Sequence, residues 1–163
     1  MGTDVRGRVK IKSRNPLEYP SILFNYLSTP NERKEWCEAV RLSRQIIETQ
    51  AMSELMGEEL SPGPEVQTDE EILDFIAKEG ESAYHPSSTC KMGVDSMSVT
   101  DAALKVHGIK NLRIVDASVF PYVTNGNIYS PVMMVAEKAS DLILGNTPLN
   151  PEHLPFYKKE IKV

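Results

Sequence analysis

Twice in this chain a threonine stands three positions ahead of a glutamate at the head of an apolar-periodic run: Thr29 before Glu32, and Thr68 before Glu71. A threonine hydroxyl accepts from the amide three residues on, and the glutamate returns a bond to the threonine amide. Each pair therefore marks a helix start. Pro30 suits the first helical position, where a missing N–H costs nothing. The first helix is expected through EWCEAVRLSRQIIETQ, with Trp36, Ala39, Val40, Ile46 and Ile47 as its core side. The second turns Ile72, Phe75 and Ile76 inward and ends at Gly80. Between them GEELSPGPEVQ, with two prolines and two glycines, is a loop.

The flanking segments carry a different period. RVKIKS alternates Val9 and Ile11 with basic residues, the pattern of a half-buried strand. After the Pro-rich turn NPLEYP, SILFNYL reads as a second short strand or extended segment. SVTD, ALKVHG and NLRIVDASVFP are short extended runs, and LRIVDA is expected to be a buried strand. The turn YVTNGN leads into a third helix begun by Ser130 and Pro131 and closed by Gly145. Its inner side is Val132, Val135, Ala136, Ala139, Leu142 and Ile143. The tail NTPLNPEHLPFYKKEIKV is polar and Pro-rich, suited to lie over the surface or to be partly disordered. The expected fold is α+β: a mostly antiparallel sheet from the first third and the middle, the Thr29 and Thr68 helices on one of its faces, and the Pro131 helix beside LRIVDA.

Several function classes are disfavoured. A formal charge of -5 gives no basic stripe for nucleic acid. No apolar run is long enough to cross a bilayer, and no charged start followed by an apolar stretch marks a signal peptide. The expected location is cytoplasmic, free or peripheral to a membrane. Cys37 and Cys90 form no CxxC pair and suit free thiols in a reducing compartment, although two cysteines could always pair. Cys90, His85 and His107 could be proposed as zinc ligands, but no second CxxC or HxxxH supports them, so no metal is expected. No GxSxG elbow, P-loop or GxGxxG is present, and Ser87 and Ser88 beside His85 do not make a triad by adjacency.

Two features remain. His85 sits in AYHPSSTCKMG, rich in turn-forming residues; taken alone, such a histidine reads as structural. Asn125, Gly126 and Asn127 make a tight turn directly before a helix N-terminus. That terminus presents unpaired amides and partial positive charge, suited to an anion or to an atom that becomes negative during reaction. An ordinary capped core helix would have the same periodicity.

Taken in order, GRVKIKSRNPLEYPSILFNYLS, YHPSSTCKMG, LRIVDASVFP and GNIYSPVMMVAEKASDLILG resemble the C-terminal portion of the glucose–methanol–choline (GMC) flavoprotein oxidoreductases, from about Gly7 to Gly145. SPGPEVQTDEEILDFI before the histidine, and asparagine rather than a second histidine at position 127, are similar to the choline-oxidising branch. The resemblance implies an FAD-dependent oxidation of an alcohol, choline or another primary alcohol, with His85 and Asn127 as the catalytic pair. His85 would take or stabilise the hydroxyl proton and Asn127 would hold the developing alkoxide. It implies Tyr84 in the substrate pocket, and Asp116, Ala117, Asn127, Ile128 and Pro131 beside the FAD. A quaternary ammonium would lie on aromatic faces, of which Tyr84 supplies one.

The family's Gly-rich dinucleotide-binding unit is not in this sequence. The resemblance therefore implies a C-terminal fragment, inactive alone and binding FAD weakly or not at all. It implies a substrate-domain portion over 1–100, a segment over 101–145 that completes the active site and supplies the last strand and helix of the FAD domain, and a tail over 146–163. With its sheet neighbours missing, the LRIVDA edge is expected to favour dimerisation, strand exchange or local disorder. A non-enzymatic binding module, with His85 structural, is the reading from a different class.

Overall fold

The structure is a computed structural model that describes residues 5–147 and 149–155. It is a small α+β arrangement. Strands β1 (Arg8–Lys10) and β2 (Ser21–Leu23) precede helices α1 (Pro30–Ile47) and α2 (Asp69–Glu79). A 3₁₀ turn at Ala117–Val119 then leads to helix α3 (Tyr129–Leu144).

Both threonine signals mark true helix starts. Thr29 Oγ1 accepts from the Glu32 amide at 3.1 Å. At α2 the reciprocal box is complete: Thr68 Oγ1 accepts from the Glu71 amide at 3.2 Å, and Glu71 Oε2 accepts from the Thr68 amide at 2.9 Å. Gly80 caps α2. Gly145 closes α3 at φ 71°, a left-handed conformation that a side chain resists.

α1 and α2 pack on one another through Cys37, Ile72 and Ile76, with Leu27, Val40, Val66, Leu73 and Phe75 around them. Ile72 is wholly buried, which removes its side chain from water at a gain of about 1.5–3 kcal/mol. The loop between the helices is pinned to α1 by Arg44. Its guanidinium holds Glu59 at 2.9–3.1 Å and donates to the carbonyls of Val66 (2.8 Å) and Gly63 (3.0 Å).

A second buried cluster holds Leu104, Val119 and Ala139, with Met92, Ile114, Val115 and Val135 packed against them. The third helix thus sits beside Ile114 and Val115, as its apolar face requires. Of its expected inner residues, Ile143 is exposed instead.

Three expectations are corrected. The mostly antiparallel sheet is, among the described residues, a single two-stranded ladder with Val9 opposite Ile22, and all six of its residues are exposed. The first two helices cover each other rather than a sheet face. LRIVDA forms no strand; Arg113 alone bridges Lys105, and Thr100 bridges Met92 and Val106. The backbone gives the reason: Leu104, Gly108 and Asn111 all take positive φ (64°, 75° and 60°), turning the chain before a ladder can lengthen. The pairing edge expected there is accordingly not formed.

Trp36, Ile46 and Ile47 are the third correction. They are 39%, 54% and 38% exposed, so helical spacing placed them on faces that α2 does not cover. Trp36 and Ile47 instead line a groove of about 420 Å³ between α1 and residues 56–62. The tail from 149 to 155 has no regular structure, and the remainder of the predicted tail lies outside the described residues.

Candidate active site

His85 lies in a segment of unusual backbone. Ala83 and Tyr84 before it, and Ser88 after it, take φ of 50°, 58° and 70°. Left-handed backbone at non-glycine residues costs about 1–3 kcal/mol each and persists where surrounding contacts impose it. The contacts are clear on one side. The amides of Ser88, Cys90 and Met92 donate to the carbonyls of Ala117, Ser118 and Val119 at 3.3, 2.9 and 2.8 Å. The 3₁₀ turn is thus the rail on which the His85 segment hangs. Its N-cap is Asp116, whose Oδ1 accepts from the Ser118 amide at 2.7 Å.

The chain leaves that turn through Phe120, which is buried, and reaches the Asn125–Asn127 bend. Arg6 lies 5.5 Å over the Tyr122 ring on the way. Gly126 takes φ 68°, so its requirement is conformational, since no atom crowds the space a Cβ would fill. Asn127 Oδ1 then accepts from the Tyr129 amide at 2.8 Å, closing the bend ahead of α3, whose N-cap is Ile128 and makes no side-chain cap bond.

The two segments meet. The Ile128 amide donates to His85 Nδ1 at 3.2 Å across 43 positions of sequence. His85 is half-buried there, while Tyr84 and Asn127 are exposed. The structure therefore brings His85 onto the Ile128 amide at the mouth of α3, with Asn127 the residue before Ile128 and Pro131 in the first turn of the helix. Asp116 and Ala117 flank the other side of the His85 segment through the 3₁₀ turn. The Tyr84 amide instead turns back and donates to Ser82 Oγ at 3.2 Å.

The zinc set does not assemble. Among the described residues no three potential ligands gather, His107 Nε2 is 3.0 Å from the Gly93 carbonyl, and both cysteines are free thiols. Among them also, no helix is long and apolar enough to cross a membrane. The 420 Å³ groove is distant in sequence from this constellation and contains none of its residues.

Thr124 Oγ1 is buried and without a hydrogen-bond partner among the described residues, which no sequence pattern signals. A buried hydroxyl in that state costs roughly 1–3 kcal/mol.

Residues 3–136 match the family model described as GMC oxidoreductase. The chain belongs to the GMC oxidoreductase family. An oxygen-dependent choline dehydrogenase of Staphylococcus aureus is 55% identical over 161 residues, 97% of this chain. Pyridoxine 4-oxidase from Mesorbium loti superimposes with a TM-score of 0.81 at 31% identity, over 90% of this chain and 29% of that one. A formate oxidase from Aspergillus oryzae, studied for its FAD modification, gives 0.78 at 29% identity over 85% and 24%. This GMC chain spans 28% of the length of the curated choline dehydrogenase it matches. It corresponds to the C-terminal part of such proteins.

Proposed function

We propose that this chain is the substrate-facing C-terminal part of an FAD-dependent oxidoreductase that converts choline to betaine aldehyde. The observation that carries the reading is the bond from the Ile128 amide to His85 Nδ1. An imidazole nitrogen that accepts from an amide holds no proton, so the neutral ring carries its proton on Nε2. His85 then presents Nε2–H as a donor to the substrate oxygen. To act as a base at Nε2 it would need its proton on Nδ1, facing the Ile128 N–H. The geometry therefore supports alkoxide stabilisation over proton abstraction. Asn127 spends its carbonyl oxygen on Tyr129, so its NH₂ is the group it offers to the same oxygen. The hydroxyl proton leaves to water as the carbon loses hydride.

FAD, when bound, supplies the hydride acceptor. The residues present fit such a group at the α3 mouth. Helix α3 is 16 residues long, and its N-terminus favours an electron-rich ring edge near Ile128 and Pro131. The unpartnered Thr124 hydroxyl lies three residues from Asn127 and is a polar group in want of a partner. The backbone of Asp116 and Ala117 would lie beside the same group. Tyr84, 84% exposed, gives a quaternary ammonium one aromatic face.

The test is His85→Ala in the full-length enzyme. Turnover should fall by about 10²–10⁴-fold with flavin retained. Unchanged turnover would return His85 to a structural role and favour a binding module. A second reading, another primary alcohol as substrate, draws on the pyridoxine 4-oxidase likeness. Substrate profiling separates the two, since choline should outperform uncharged alcohols.

A further inference from the structure

We propose that Asp116 is a positioning residue for the His85–Ile128 contact, acting through the 3₁₀ turn and not through its own carboxylate at the reacting atoms. The inference rests on the catalytic reading above only for its consequence; its geometry stands alone. The turn at Ala117–Val119 is the common root of two arms. One arm, carrying His85, hangs on the turn's three carbonyls by the amides of Ser88, Cys90 and Met92. The other arm leaves the turn's C-terminal end and carries Asn127 and Ile128. The arms meet at the Ile128 amide and His85 Nδ1.

A three-residue turn has little cohesion of its own, because 3₁₀ hydrogen bonds are poorly aligned and the run is short. Inside it, the Phe120 amide donates to Ala117 at 3.3 Å and the Val119 amide to Asp116 at 3.2 Å, both long. The Asp116 Oδ1 bond to the Ser118 amide, at 2.7 Å, is the short one. It fixes the direction of the Ala117 and Ser118 carbonyls, and those carbonyls fix the height of the His85 arm. Wholly buried Val119 anchors the turn's far end, so loss of the cap rotates the near end, where Ser88 and Cys90 are held. Asp116 is exposed, so its burial energy is small and its cap is its main structural contribution.

Amide hydrogen exchange of the 163-residue chain, followed by NMR, reads this directly. Asp116→Ala should raise the exchange rate of the Ile128 amide by about 5-fold or more, the scale of one lost cap, and leave Ile76 in α2 unchanged. Asp116→Asn retains the acceptor and should restore the slow Ile128 exchange. Should the alanine variant fail to fold, Asp116→Glu takes its place: it keeps the charge but overshoots the Ser118 amide, and it should also speed Ile128. Acceleration at Ser118 alone, with Ile128 unmoved, overturns the proposal; so does equal acceleration at Ile128 and Ile76, which is general destabilisation. Neither result needs turnover, so the alcohol-oxidation reading stands or falls separately on His85→Ala.

Discussion

Asn127 makes one bond and is proposed to offer another, and substitution can separate them. Its Oδ1 accepts from the Tyr129 amide at 2.8 Å just ahead of α3, and its NH₂ is the proposed donor to the substrate oxygen. Asn127→Ala removes both. Losing that bond should cost about 1 kcal/mol, within a usual range of roughly 0.5–1.5 for one hydrogen bond. α3 feels this loss because Ala139 is its only fully buried residue among those described. Asn127→Asp keeps the acceptor and adds negative charge at the positive helix end, worth about 0.3–1 kcal/mol at a surface site. It removes the donor and sets a carboxylate against a developing alkoxide. Removing one such donor typically lowers turnover by roughly 10²–10³-fold. Urea unfolding of this chain should therefore rank aspartate at or above asparagine, with alanine lowest. Steady-state turnover in the full-length enzyme should rank asparagine far above alanine, and alanine at or above aspartate. The opposed orderings are the signature. If the aspartate variant turns over like the parent, the NH₂ group has no part in the chemistry; if alanine unfolds at the parent's urea midpoint, the bond to the Tyr129 amide is not a stabilising contact.

Ile72→Ala should cost about 2–5 kcal/mol, since Ile72 is fully buried between α1 and α2, and the urea midpoint reads this directly. Of the two thiols, Cys90 should react with a disulfide reagent well before Cys37, because burial, and then the neighbouring Asp69 charge, push the Cys37 thiol up. Asp95 is held down to about 2, first by its bond from Lys91, then by Ser98 and the Met97 amide. Its folded value lies below the ordinary 3.8. The stability it contributes is thus present above about pH 4 and is lost as pH falls through about 2. Asp95→Asn should lower the melting temperature at neutral pH and flatten its fall between about pH 4 and 2, and thermal melts across that range read both.

What the sequence made legible was what is decided within a few residues. The Thr68–Glu71 box, Gly80 and Gly145 are local chemistry, and each stands where the pattern placed it. Periodicity, by contrast, names a face without naming its neighbour. Trp36 and Ile47 lie at correct helical spacing, yet their face of α1 borders the 56–62 loop and not a buried partner. Alternation misled for a related reason. ALKVHG and LRIVDA have strand-like composition, but Leu104 in left-handed backbone leaves no mark on composition, and only Gly108 and Asn111 carry residue types that tolerate it.

The site lay furthest from reach because it is non-local. Nothing in AYHPSSTCKMG announces that the chain will return 43 positions later and put an amide against His85 Nδ1. The family resemblance implies His85 and Asn127 as partners and says nothing of the Ile128 amide; the structure adds that contact and the ring nitrogen it occupies. The added fact changes the chemistry. A histidine known only to face an alcohol can be either its base or its hydrogen-bond donor, and the two predict opposite proton inventories. On the proposed reading, an Ile128 amide on Nδ1 leaves Nε2–H to donate, and a base role would require that contact to break.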